Sequence, residues 1–293
     1  MKRLIFLCLF FLNLNSQGQV IPRNKVDVKI KPIISADTTN NYFKYEYKIY
    51  SLPTSEQSIW MFAILLSRTE DTLKIYEITW PPLPRWDGVC IGPLVDLPNS
   101  AWVNWGSWDS TAFIPPGDSA SGFSFKTYIF PPKKTLLPDI NDFYVEGYAP
   151  IPSFPEGEAP GMIPGYDDLT LYGPGKVYKT VGPGPLPPGE WNFDSTMYFV
   201  SDSGFYHLID KTNKCFEQNW LKERAKNHLI SMYERGLRHY QNNRVEQARK
   251  VLSQVIDYLE RERGNLVFDE AFYVLYYRTK FVSEHLLEQY RNK

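Results

Sequence analysis

The sequence predicts an antiparallel β-sandwich followed by a small all-α module. Three observations lead there. Short runs of period-two alternation fill the chain from Val26 to about Val181. Aromatic residues make up 16% of the chain, with 20 Tyr, and 23 Pro accompany them, a composition that favours strands, turns and rigid loops over long helices. After about residue 205 the apolar spacing changes to the helical period.

The strands follow in order. Phe43, Tyr45, Tyr47 and Ile49 alternate with Lys44, Glu46 and Lys48, the pattern of a strand with one wet face. Trp60, Phe62, Ile64 and Leu66 line one face of a second strand whose other face is also apolar, which predicts a central position. Leu73 to Thr79, Ala112 to Ile114, Gly122 to Tyr128, Tyr144 to Tyr148 and Lys176 to Val181 complete the set. Strands at this spacing, with little helical periodicity between them, predict two packed antiparallel sheets. The sandwich is expected over 24–149, and the Pro- and Gly-crowded 150–192 reads as a loop region ending in a semi-rigid linker.

Four helices are expected within 193–290. Their apolar faces are Phe205, Leu208, Ile209 and Phe216; Leu229, Met232, Tyr233, Leu237 and Tyr240; Val251, Leu252, Val255, Ile256 and Leu259; and Phe272, Leu275, Tyr276 and Phe281. Asn242-Asn243 and Gly264-Asn265 fall where breaks are needed, because Asn and Gly tolerate the left-handed conformation that ends helices. Residues 205–293 carry four more Lys and Arg than Asp and Glu, which reads as solvated helix faces.

The N-terminus predicts export. Lys2 and Arg3 precede the apolar run Leu4 to Leu12 and a polar stretch to Gln19, so 1–19 reads as a signal peptide. The run is too short for a stable bilayer span, which needs about 20 apolar residues, so no transmembrane segment is expected in the mature chain. A secreted, periplasmic or cell-surface location follows. Cys90 and Cys215 then remain, either as one disulfide across a long loop or as two separate thiols. A net charge of −1 leaves no basic field for a phosphate backbone, so nucleic acid is not an expected partner.

The run Ala112-Phe-Ile-Pro-Pro-Gly-Asp-Ser-Ala-Ser-Gly-Phe-Ser-Phe125, after Trp105 and Trp108, resembles a recurrent segment of bacterial secreted proteins. The resemblance implies an immunoglobulin-like sandwich in which Pro116-Gly117 makes a turn and Phe123 and Phe125 face the core. Lys179-Thr-Val-Gly-Pro183, Asn219-Trp-Leu221, Gln247-Ala248, Val255-Ile256 and Glu270-Ala271 resemble a C-terminal FIMAH-like helical module. Both motifs concern packing and turns and imply no chemistry.

No local catalytic motif is legible. His207, His228, His239 and His285 all fall in the helical part without zinc spacing and read as exposed helix histidines. Ser110 beside Asp109 reads as a turn and lacks a neighbouring base. Asp139, Asn141 and Asp142, and likewise Asp167 and Asp168, could offer oxygens to Ca2+, but turn residues bonding their own backbone look the same, and that reading is preferred. No cofactor or metal is expected.

Trp80, Trp86, Trp102, Trp105 and Trp108 fall within 29 positions in a Pro- and Gly-rich segment. Rings on a rigid sandwich can stack on a glycan or protein surface, or else close the ends of the sandwich. The leading expectation is an exported, non-catalytic binding or structural protein of the bacterial envelope or exterior. A secreted hydrolase acting on polysaccharide and a structural subunit of an extracellular assembly are the alternatives.

Overall fold

The computed structural model describes residues 22–66, 75–81, 86–91, 101–129, 135–149, 174–191 and 198–286. The expected signal peptide, Asp167 and Asp168 lie outside them. Among the described residues, nine strands form two antiparallel sheets and four helices follow. The strands are β1 (Val28–Asp37), β2 (Tyr42–Ser51), β3 (Ile59–Leu66), β4 (Ile75–Thr79), β5 (Asp87–Ile91), β6 (Ala101–Gly106), β7 (Ser119–Tyr128), β8 (Leu137–Gly147) and β9 (Lys176–Gly184). One sheet runs β1-β2-β7-β4, the other β5-β6-β3-β8-β9.

The alternation read in β2 is the one observed: Phe43, Tyr45, Tyr47 and Ile49 are buried and pair along β1 and β7. Their rings meet Phe125 from β7 and Trp105 from the opposite sheet, and Phe62, Phe123 and Phe143 continue the aromatic cluster around Trp105. Phe62 stands edge-on to Phe123 at 4.7 Å, and Tyr45 stacks on Phe125 at 5.1 Å. Two of the buried rings have their polar tips tied across the layers. Tyr47 Oη donates to Val181 O at 2.8 Å, and Trp105 Nε1 donates to Thr79 O at 3.0 Å. Pro116-Gly117 makes the expected turn: Asp118 N donates to Pro115 O, and Gly117 adopts φ +87°, which a type II turn requires.

Several expectations need correction. The sandwich does not stop at residue 149, because β9 pairs with β8 from Lys176 to Gly184 and forms the edge of the five-stranded sheet. The Gly182-Pro-Gly stretch is therefore strand, not linker. Residues around Ala112 form a short 3₁₀ turn, Ser110–Ala112, and only Ile114 bridges to Ile59. Trp60 does not share a face with Phe62. The register between β3 and β8 shifts between Ile59 and Met61, and this bulge re-aims the intervening tryptophan.

Beyond a two-stranded ribbon, β10 (Glu190–Trp191) with β11 (Tyr198–Phe199), come α1 (Asp202–Glu217), α2 (Glu223–Gln241), α3 (Val245–Glu262) and α4 (Asp269–His285). The predicted apolar face of α2 is the buried one, residue for residue. Asn243 at φ +56° and Gly264 at φ +78° make the breaks. α4 is buried on most of its circumference because it packs both on its fellow helices and on β8, β1 and β9. No described helix is long and apolar enough to cross a membrane.

Candidate functional site

The end of the sandwich remote from α4 carries an aromatic platform. Trp108 is 87% exposed and its ring lies 5.2 Å from that of Trp60. The turn beneath it is fixed by hydrogen bonds: Ser107 N donates to Trp60 O at 3.0 Å, Asp109 N to Ser107 Oγ at 3.1 Å, and Asp109 Oδ1 accepts from Thr111 N and Oγ1. Asp109 thus caps the 3₁₀ turn, and Ser110 has no part in a nucleophile arrangement. Trp60 is held from its other neighbours in turn. Arg23 stands 5.4 Å from its centroid, Arg23 Nη1 pairs with Glu146 Oε2 at 3.1 Å, and Tyr144 Oη donates to Glu146 Oε1 at 2.6 Å. A ring this exposed on so constrained a base loses little freedom when a flat ligand stacks on it.

The five tryptophans singled out by sequence go to different places. Trp86 and Trp105 are core, 2% and 0% exposed, with Trp86 Nε1 donating to Ala112 O at 3.0 Å. Trp102 lies on the outer face of the five-stranded sheet, edge-on to Tyr144 at 6.0 Å. Trp80, 39% exposed, sits over Gly88 at the β4–β5 edge. Only Trp108 joins the platform, and its companion Trp60 was missed because alternation alone placed it inside.

The opposite end of the sandwich is closed by a cluster that sequence reasoning also missed. Arg278 of α4 is wholly buried. Its Nε donates to Pro138 O at 2.9 Å and its Nη1 to Pro185 O at 3.0 Å. Nη2 lies 2.9 Å from Asp139 Oδ2, a charge contact without the alignment of a hydrogen bond. Lys211 Nζ of α1 donates to Asp139 Oδ1 at 2.6 Å. Gly184 makes room, since a Cβ there would collide with the Asp139 side chain.

Burial raises the Asp139 carboxyl, but Arg278 and Lys211 outweigh it and hold the group below the usual carboxylate range. His207 Nε2 lies 2.8 Å from Arg278 Nη1, so it accepts and the ring proton sits on Nδ1. Burial, then the facing guanidinium, lower His207 to about 3. The expectation of four exposed histidines thus fails at His207, and His285 stacks on Phe281 at 4.0 Å. Such a cluster joins helices to sheet; its groups are spent on one another.

Of the residues considered for Ca2+, Asp139, Asn141 and Asp142 lie in strand β8, not in a turn, and do not converge. Asp139 is paired as above, Asn141 Nδ2 donates to Leu65 O and Pro183 O, and Asp142 pairs with Lys179. Among the described residues no group of three His, Cys, Asp or Glu side chains is placed to hold a metal. Cys90 and Cys215 are both free thiols, so the possible disulfide is absent. Cys90 is on β5, whereas Cys215 lies near Asp139 and Arg278 at β8, three strands away across the sheet or about 14 Å. Burial pushes the Cys90 thiol up to about 11 and Cys215 higher still, so neither is a reactive thiolate.

The arrangement defines a two-layer β-sandwich joined through buried charges to a four-helix module. No protein-family model matches the chain, and no characterised protein matches it in sequence. Among solved structures it is similar to a cohesin module from a Clostridium perfringens family 33 glycoside hydrolase, at 9% identity and a TM-score of 0.27, over 55% of this chain and 98% of that one. It is also similar to AvmM, described as catalysing macrocyclization in alchivemycin A biosynthesis, at 9% identity and a TM-score of 0.32, over 58% and 94%. At these scores neither likeness bears on function.

Proposed function

We propose that the protein is an exported, non-catalytic binding protein of the bacterial envelope or exterior. Its immunoglobulin-like sandwich presents the Trp60–Trp108 platform to a glycan or protein surface, with the helical module as a fixed base. The observation that carries this reading is the exposure of Trp108, because a large ring left in water on a constrained turn gains most when something covers it. The export half rests on the order of charge, apolar run and polar tail in 1–19.

The hydrolase alternative needs two carboxylates facing one cleft, about 5 to 10 Å apart. Among the described residues, four acids of the sandwich are spent otherwise: Asp27 on Lys176, Asp139 on Arg278 and Lys211, Asp142 on Lys179, and Glu146 on Arg23. A glycan array and an envelope-extract pull-down with the wild type, Trp108→Ala and Trp60→Ala test the proposal. Retention of a ligand by the wild type and its loss by both variants is expected; equal retention by all three removes the platform from the function.

A further inference from the structure

The positive charges of the helical module are not spread evenly over its surface. Two adjoining depressions between α2 and α3, of about 350 and 620 Å³, share His228, Tyr258 and Arg261 as lining and so form one groove. Arg224, Arg235 and Arg238 line its α2 bank, on which Arg224 and Arg238 stand 14 residues apart, or about 21 Å along the helix axis. Arg261 stands on the α3 bank. Against these cations the groove holds one carboxylate, Glu262, which already accepts from Arg261 Nε at 3.2 Å and Asn265 Nδ2 at 3.1 Å. Arg235 gives Nη2 to Gln254 at 2.7 Å and keeps its remaining donors, while the Arg224 and Arg238 side chains have no hydrogen-bond or ion-pair partner among the described residues.

With one carboxylate against four guanidinium groups, the groove keeps a local excess of positive charge that an anion would balance, and each group is a planar fork shaped for a carboxylate. We propose that this groove binds an extended acidic peptide segment, supplied by a partner protein, through Arg224, Arg235, Arg238 and Arg261. The floor decides between anions. Tyr258 is only 7% exposed, with His228 at 4.4 Å and Arg261 at 5.3 Å from its ring, so no open aromatic face remains to stack on a sugar or a base. What the groove offers instead is guanidinium forks, the Ser231 hydroxyl and the Gln254 amide, which suit carboxylate side chains on a peptide backbone. The site is separate from the aromatic platform.

The test uses the full mature chain and a fluorescent ten-residue peptide of alternating Glu and Ser, followed by anisotropy. Binding is expected, weakening at least about tenfold between about 50 and 500 mM salt as exposed charges are screened. The double variant Arg235→Ala with Arg238→Ala, and separately Arg224→Gln, are expected to lose about tenfold or more, with unchanged melting curves because these side chains are exposed. Arg244→Ala, an exposed arginine outside the groove, is expected to bind as the wild type does. No binding of the peptide, equal loss with Arg244→Ala, or tighter binding of a single-stranded oligonucleotide or an oligouronate than of the peptide overturns the proposal.

Discussion

At one end of β8, Asp139 lies beneath α4, paired with Arg278 and Lys211; seven residues on, about 23 Å along the strand, Glu146 steadies Arg23 beside rings that stand in water. Both ends use a carboxylate and a cation, yet burial gives them different work. At the helix end the buried charges taken from water have each been given a protein partner or an opposite charge, so the cluster fixes how the two parts meet. At the open end the ion pair only positions an indole whose own face is unused. An end of a sandwich is therefore available for binding only where no other element has covered it.

The largest effect expected from this contrast is at the sealed end. Arg278→Ala leaves Asp139 buried against a single lysine and should cost about 3–5 kcal/mol in chemical unfolding, enough to shift the whole melting curve. Arg278→Met combined with Asp139→Leu should recover much of that loss, since both charges then leave together. If the single variant unfolds like the wild type, the junction does not hold the parts together.

Acid should open the same end. His207 binds its proton only near pH 3 when folded but near 6.5 when unfolded, so the unfolded state takes up the extra proton as pH falls through that window. Stability should drop by on the order of 1 kcal/mol per pH unit between about pH 6 and 4. Asp139, whose folded carboxyl ionises below its unfolded value, adds a further loss only below about pH 4. In His207→Gln the slope between pH 6 and 4 should flatten; an unchanged slope would show that another group sets it.

At the open end Trp108→Ala should change stability by less than about 0.5 kcal/mol, because the ring is already in solvent. Trp105→Ala, three residues away in sequence, should cost about 3–5 kcal/mol through the cavity it leaves. Near-equal effects of the two would erase the distinction between platform and core.

The same distinction explains what was legible in the sequence. β2 and α2 could be read because each buries one face and repeats at a regular period, as Phe43 to Ile49 and Leu229 to Tyr240 show. β1 went unread although Val28, Ile30 and Ile34 alternate with Lys29, Lys31 and Ile33, since Pro32 interrupts the run. β5 and β6 were hidden by the expectation that a Trp-, Pro- and Gly-rich stretch is loop, and this misplaced Trp105 among candidate ligand contacts. Trp60 was lost to a bulge, which no alternation predicts. Arg278 and Asp139 meet across well over a hundred residues, and nothing local in either segment announces the other.

The contact of α4 with β1, and of Tyr277 with Phe43 at 5.0 Å, has a consequence for the chain in time. The last helix completes a surface begun by the first strand, so the pairing that closes the sandwich waits for the C-terminal residues to arrive. Pairings of such long sequence separation are slow to form, and until they do Phe43 and Asp139 stay uncovered. A chain shortened before Arg278 should therefore be a clumping hazard and a protease substrate, even with every one of its strands intact.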